Sequence, residues 1–242
     1  MYKLINKAGY DIYKKSKKVQ LLINEKWNFL RRVDIRTIID VGANDGQFIK
    51  EVSNIFPNAE FYSFEPLKDC YERLIINFKN NAKVHAFNFA LGEEDGEIIF
   101  SRSSASTSSS ILKMGRLHKI LFPNTANLIE EKVKIKRIDD VFENKVIQDL
   151  ILLKIDVQGA EEKVIKGAIQ FLKKVNIIIT EVSYATLYED QPLFVDILNL
   201  LLAQNFIFIG MLEQFSSPST NAPLFADAIF VKKEIYDILY GS

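Results

Sequence analysis

Thr37-Ile38-Ile39-Asp40-Val41-Gly42-Ala43-Asn44-Asp45-Gly46-Gln47-Phe48 decides how the rest of the chain is read. Thr37 to Val41 is a short apolar, β-branched run, which reads as a buried parallel strand. Gly42 and Gly46 follow with Asn44 between them, and a helical pattern runs from about Asp45 to Ile55. A strand that breaks at a glycine and turns at once into a helix leaves backbone N–H groups beside a ligand. Gly42 permits the tight turn and removes a Cβ from the ligand's path. Open α/β sheets hold nucleotide-like cofactors at this place, the carboxyl edge of the strands. The spacing is neither the dinucleotide G-x-G-x-x-G nor a P-loop, since no Gly-Lys-Ser/Thr follows.

The next strand narrows the choice. Glu60 to Phe64 ends at Glu65, 25 residues after Asp40. An acid at the tip of a second strand can accept hydrogen bonds from both ribose hydroxyls of an adenosine. Pro66 stops the strand and fixes the turn that holds Glu65.

Outward from this core, strands alternate with helices. A helix is expected from Lys68 to Asn77, a third strand at Val84 to Phe87, and the most hydrophobic strand at Leu150 to Ile155. That strand ends at Asp156. Gly159 to about Leu172 reads as a helix with acids in its first turn, Glu161 supporting the terminus. Val175 to Thr180 is a strand ending at Glu181. A helix from Pro192 to Leu202, a strand at Asn205 to Ile209, a loop from Phe215 to Pro223, a strand at Ala226 to Val231 and a helix at Ile235 to Tyr240 complete the chain. The last two strands are joined without a helix, so they should be antiparallel. Between the third strand and Leu150, residues 96–138 read as an inserted β-hairpin, Lys132 to Ile138 pairing with residues 97–101. Its tip, Ser101 to Ser110, holds seven serines. The fold class is therefore α/β: a Rossmann-like, mostly parallel seven-stranded sheet with an antiparallel last strand, helices on both faces, the insertion, and one or two N-terminal amphipathic helices. Residues 1–33 are the extension and 34–242 the main domain.

Three segments in this order resemble the signature of the FkbM-type methyltransferases: Asp40-Val41-Gly42-Ala43-Asn44-Asp45-Gly46, then Phe64-Glu65-Pro66, then Lys154-Ile155-Asp156-Val157-Gln158-Gly159-Ala160-Glu161. The match runs from about Thr37 to Lys232. The resemblance implies S-adenosylmethionine as cofactor and methyl transfer to a hydroxyl of a small molecule, a sugar or a glycosylated or polyketide-like metabolite. It places Asp40, Gly42, Ala43, Asn44, Gly46, Gln47, Glu65 and Pro66 at the cofactor, with Ala90 and Leu91 near the adenine. It also implies that the insertion helps form the acceptor side, which makes Arg102, the serines and His118 candidate substrate contacts.

Transfer from a sulfonium is an in-line displacement, so alignment is the main demand. A hydroxyl acceptor also needs a positioned base. Asp156, at the tip of the central strand, is the first candidate. Lys154 points the same way two residues earlier, and a lysine in an apolar strand is rarely buried unpaired, so it should ion-pair with Asp156 or Glu181. Asp156 and Glu181 could converge on Mg²⁺ or divide protonated and ionised roles, with Asp227 a weaker candidate for the same cleft. His85 is expected in the core and His118 at the surface. Two histidines and one cysteine leave no zinc set.

The 242 residues carry 31 basic and 31 acidic side chains, which gives no global field for nucleic acid. A nucleic-acid methyltransferase also lacks its Asn/Asp-Pro-Pro-Tyr/Phe motif here. A nicotinamide-dependent Rossmann oxidoreductase is the alternative, disfavoured by the missing third glycine and a missing Tyr-x-x-x-Lys pair; a non-catalytic cofactor-binding domain is the other. Cys70 is the only cysteine, expected as helix packing in a reducing compartment. With no signal-peptide pattern and no membrane-length apolar run, a cytoplasmic location is expected. The basic cluster Tyr13 to Lys18 reads as a solvated helix face.

Overall fold

The structure is a computed structural model that describes residues 25–103, 109–125 and 128–241. The basic cluster and the other expectations for residues 1–24, like the serines among 104–108, lie outside the described residues.

Thr37–Val41 (β1) is buried at every position and is an interior strand of a seven-stranded sheet. It pairs in parallel with Glu60–Phe64 (β2) on one side and with Ile151–Ile155 (β7) on the other. Val84–Phe87 (β3) lies outside β2, and Val175–Ser183 (β8) outside β7. Ile207–Ser216 (β9) and Pro223–Val231 (β10) form a hairpin, and β10 slots between β8 and β9, antiparallel to both. The order is β3-β2-β1-β7-β8-β10-β9, the mostly parallel sheet with a reversed last strand that the sequence predicts.

Period-two alternation along the central strands feeds two cores. Ile39, Val41, Leu153 and Ile155 face the helices Glu161–Lys166 and Phe194–Leu202, through Val164, Ile165, Ile197 and Leu201. Ile38, Leu152, Ile177 and Ile179 face the helices Gln47–Val52 (α1) and Lys233–Tyr240, with Trp27, Leu30 and Val33 filling the same cluster. Each fully buried side chain of this size contributes on the order of 1.5–3 kcal/mol relative to exposure. The end of the N-terminal extension is thus part of the domain's core. Among the described residues no helix is long and apolar enough to cross a membrane.

The insertion forms a separate three-stranded sheet. Gly96–Ser103 (β5) pairs antiparallel with Leu128–Lys136 (β6), with Ile99 opposite Lys132, and Ala90–Leu91 (β4) adds to β6 in parallel. Arg102 reaches Glu131 at 2.9 Å and Asp69 at 2.8 Å, so its guanidinium ties this sheet to the helix Lys68–Phe78 (α2).

Several expectations need correction. The helix read as running to Leu172 stops at Lys166, and a separate 3-10 turn occupies Phe171–Lys173; Gly167, between them, packs so closely on the Gly92 carbonyl that a Cβ would lie 1.8 Å from its oxygen. Short helices at Arg116–Leu121 and Ile138–Phe142 are too brief to show a helical period in sequence. The final hairpin extends well past the apolar runs that announced it, its polar tip being held by cross-strand pairing such as Phe225 with Phe215. His85 sits on the edge strand β3 rather than in the core, its side chain 40% exposed and its ring stacked on Tyr62. His118 is buried rather than at the surface, wedged between Phe122 and Tyr188 with Nε2 3.0 Å from the Thr125 hydroxyl. Cys70 is buried as expected, with the Arg73 guanidinium 3.0 Å from its sulfur.

Candidate active site

A cavity of about 400 Å³ opens at the carboxyl ends of β1, β2, β7 and β8. The turn after β1 shapes one end of it. The N–H groups of Gly42 and Ala43 both donate to the Phe64 carbonyl at 3.0 Å, which fastens the turn to the tip of β2. Gly42 has φ +83°, and a Cβ there would stand 2.0 Å from the carbonyl oxygen of Asp156. The glycine is therefore required by the approach of β7 to β1, a closer constraint than the ligand clearance its position in sequence suggests. Gly46, at φ +85°, packs against Phe78 and Leu74 of α2, and it does not line the cavity. Ala43, Asn44, Gln47, Pro66, Ala90 and Leu91 do line it, with Asp40, Gly42 and Glu65.

Glu65 is buried at the tip of β2. Its two oxygens accept the N–H groups of Asn44 and Leu67, each at 2.8 Å, leaving lone pairs for other donors. Burial pushes its pKa up to about 7 against the pull of those two N–H groups. Asp40 is wholly buried, and neither carboxylate oxygen has a hydrogen-bond partner among the described residues. Burial raises it to about 6, with Lys154 opposing the rise and Asp156 adding to it.

The other end is organised around Lys154. Its ammonium donates to Asp156 Oδ2 at 3.0 Å and lies 5.6 Å from the Phe48 ring centre. Burial works against its charge, yet Asp156, Asp40 and Asp227 hold its pKa above the ordinary lysine range. The Gln158 side-chain amide donates to Asp156 Oδ1 at 2.9 Å and reaches Glu181 at 3.4 Å, so it bridges the two carboxylates. Gln158 is itself held by the Tyr188 hydroxyl at 3.3 Å and, through its backbone carbonyl, by Ser110 at 2.7 Å. Glu161 accepts the N–H groups of Val157 and Gly159, both at 3.1 Å, and so closes the turn beneath Asp156. Asp227 lies directly opposite Glu181 in the β8–β10 register, and burial raises its pKa while Lys154 opposes.

The site residues proposed from sequence converge, Gly46 apart. Asp156, Lys154 and Glu181 share the cavity with the glycine turn and Glu65. Arg102 and His118 do not line it, whereas Ser109 does. Gln158 lies inside the third motif, but only the fold shows that its side chain bridges Asp156 and Glu181. Lys26, Trp27, Glu213, Gln214 and Phe215 also line the cavity, and nothing local in sequence marks them. Among the described residues no three His, Cys, Asp or Glu side chains are arranged to hold a metal ion.

A family profile described as the methyltransferase FkbM domain matches residues 40–208. The 2-O-methyltransferase NoeI of Sinorhizobium fredii is 29% identical over 170 residues, 68% of this chain and 70% of NoeI. The hexuronic acid methyltransferase AglP of Haloferax volcanii is 28% identical over 146 residues, 59% of this chain and 54% of AglP. The crystal structure of methyltransferase FkbM from Methylobacillus flagellatus superposes with a TM-score of 0.51 at 12% identity, over 82% of this chain and 44% of that one; it supports the fold. Residues 40–208 span β1 to the start of β9 and hold the glycine turn, Glu65, Lys154, Asp156 and Glu181, and with this match the chain belongs to the FkbM methyltransferase family.

Proposed function

We propose that the protein is an S-adenosylmethionine-dependent O-methyltransferase that acts on a hydroxyl of a carbohydrate or glycosylated small molecule. One observation carries this: the glycine turn, the anchored carboxylate of Glu65 and the Lys154–Asp156–Gln158–Glu181 cluster all open into a single cavity, although Glu65 and Lys154 are 89 residues apart in the chain. The name of NoeI, a 2-O-methyltransferase, supports an oxygen acceptor, and that of AglP, a hexuronic acid methyltransferase, supports a carbohydrate one.

The residues fit the cofactor. Glu65 keeps acceptor capacity for ribose hydroxyls, and Asp40 holds two buried oxygens with no hydrogen-bond partner, suited to a cationic group. Ala90 and Leu91 give an apolar wall for the adenine. A cavity of about 400 Å³ is in the usual range for such a ligand. S-Adenosylmethionine supplies an activated methyl group on a sulfonium.

The chain's own residues then position and deprotonate the acceptor. Asp156 takes the hydroxyl proton. Lys154 and Gln158 fix the two oxygens of Asp156, which sets its orientation at the strand tip. Glu181, tied to Asp156 through Gln158, holds the acceptor by hydrogen bonding. Trp27 and Phe48, edge to face at 5.6 Å, form a wall that excludes water. Asp156 already has a lysine and an amide on its oxygens, so transfer is expected to persist in EDTA.

Calorimetric titration with S-adenosylhomocysteine, with NAD in parallel, tests the proposal. Micromolar binding of the first and none of the second is expected. Binding of NAD alone overturns the assignment of Glu65 and the glycine turn.

A further inference from the structure

The walls of the cavity are far richer in carboxyl groups, relative to basic ones, than the protein as a whole. The chain is balanced at 31 acidic and 31 basic residues, but seven carboxylates and two lysines line the cavity among the described residues. Both lysines are already engaged. Lys154 is bound to Asp156 at 3.0 Å, and Lys26 lies between Glu51 at 3.2 Å and Glu213 at 3.4 Å. An anionic group entering here meets like charge, and no lysine of the wall is spare to receive it.

The end away from Glu65 has a second property. Phe215 and Phe225 stack nearly parallel across β9 and β10, with ring centres 4.9 Å apart and planes 9° apart, and both line the cavity. Aromatic faces carry negative quadrupole and attract the polarised C–H face of a pyranose ring. Beside them stand Glu181, Asp227 and Glu213, acceptors for ring hydroxyls or an ammonium, with the Gln214 amide able to donate. Asp40 adds an unpartnered, wholly buried carboxylate to the same cavity.

We propose that the methyl acceptor is a pyranoside without negative charge, neutral or amino-bearing, seated against Phe215 and Phe225, and that Glu181, Asp227 and Glu213 exclude uronate and phosphosugar acceptors. This rests on the reading of the site as an O-methyltransferase.

The test uses the full chain with radiolabelled S-adenosylmethionine and three matched methyl glycosides: a glucoside, a glucosaminide and a glucuronide. Binding of S-adenosylhomocysteine is measured first, so that a failure of the methyltransferase reading is seen separately. Transfer to the glucoside or glucosaminide should exceed transfer to the glucuronide by at least about tenfold in kcat/KM. In Glu213→Lys, at the exposed rim, the ratio should fall by roughly fivefold or more as the glucuronide becomes tolerated. In Phe215→Ala, KM for the sugar should rise more than kcat falls, with S-adenosylhomocysteine still bound. Equal or faster transfer to the glucuronide overturns the proposal, as does binding of S-adenosylhomocysteine with transfer to none of the three.

Discussion

The wall around Glu65 is made from two neighbouring strand tips, β1 and β2, and its polar contacts run largely through backbone N–H groups: Gly42 and Ala43 to the Phe64 carbonyl, Asn44 and Leu67 to Glu65. The wall around Glu181 is assembled from Lys26, Gln158, Glu213 and Asp227, contributed by four distant segments, and its contacts run through side chains. A backbone-built wall tolerates little change of geometry but many changes of side chain. A side-chain-built wall can be retuned one residue at a time. Under the function proposed above, cofactor binding belongs with the first wall and selectivity among acceptors with the second.

The largest expected break is at Asp156. Asp156→Ala should lower the single-turnover transfer rate by about 10²–10⁴-fold, while calorimetry shows S-adenosylhomocysteine bound within a few-fold of wild type. Wild-type turnover in this variant removes Asp156 as base. Next comes Gly42→Ala, which should damage both walls at once. Its Cβ would meet the Asp156 carbonyl at 2.0 Å in a left-handed conformation, and denaturant unfolding should report a loss of about 3 kcal/mol or more. Intact stability there means the β1 and β7 tips can part without cost.

A smaller and one-sided effect is expected from Glu65→Gln. Affinity for S-adenosylhomocysteine should fall roughly tenfold, the scale of one charged hydrogen bond, with the order of preference among acceptors unchanged. Wild-type affinity should also weaken as pH falls through about 7, where Glu65 takes up its proton, and the substitution should flatten that dependence. The smallest effect is a gain. A carboxyl whose pKa is raised on folding binds its proton more tightly in the native state, so the stability linked to it is present at low pH and is lost as pH rises. For Asp40 the interval runs from its usual 3.8 to about 6. Asp40→Asn should therefore raise the thermal midpoint above pH 7, by the equivalent of ~1–2 kcal/mol, with little change at pH 4, while weakening binding of the methyl donor. A loss of stability above pH 7 would mean that Asp40 is compensated in the native fold.

How much was legible follows the same division. The strand–glycine–helix turn, the acid at the tip of β2 and the lysine paired with Asp156 are local patterns, and each lies in the structure where spacing puts it. Gly42 shows the limit even there: the sequence marks the need for a glycine, but the atom that enforces it is the Asp156 carbonyl, 114 residues away. His118 reads as an ordinary exposed residue and is buried, because Tyr188, 70 residues away, packs on its ring opposite the local neighbour Phe122. The glycine at 167 is equally silent, since the Gly92 carbonyl it packs against lies 75 residues away, just after β4.

By itself the sequence determined the α/β class, the order of the strands of the main sheet and of its longer helices, and the residues at the tips of β1, β2, β7 and β8, because hydrophobic period, turn chemistry and strand ends are properties of contiguous residues. The tertiary structure alone decided that Lys26 and Trp27 wall the cavity, that Glu181 faces Asp227, that Phe215 stacks on Phe225, and that the lysines there are already paired. Those facts depend on β10 inserting between β8 and β9 and on the N-terminal segment docking against α1. Both are choices among long-range pairings, settled by the burial of apolar surface shared between distant segments.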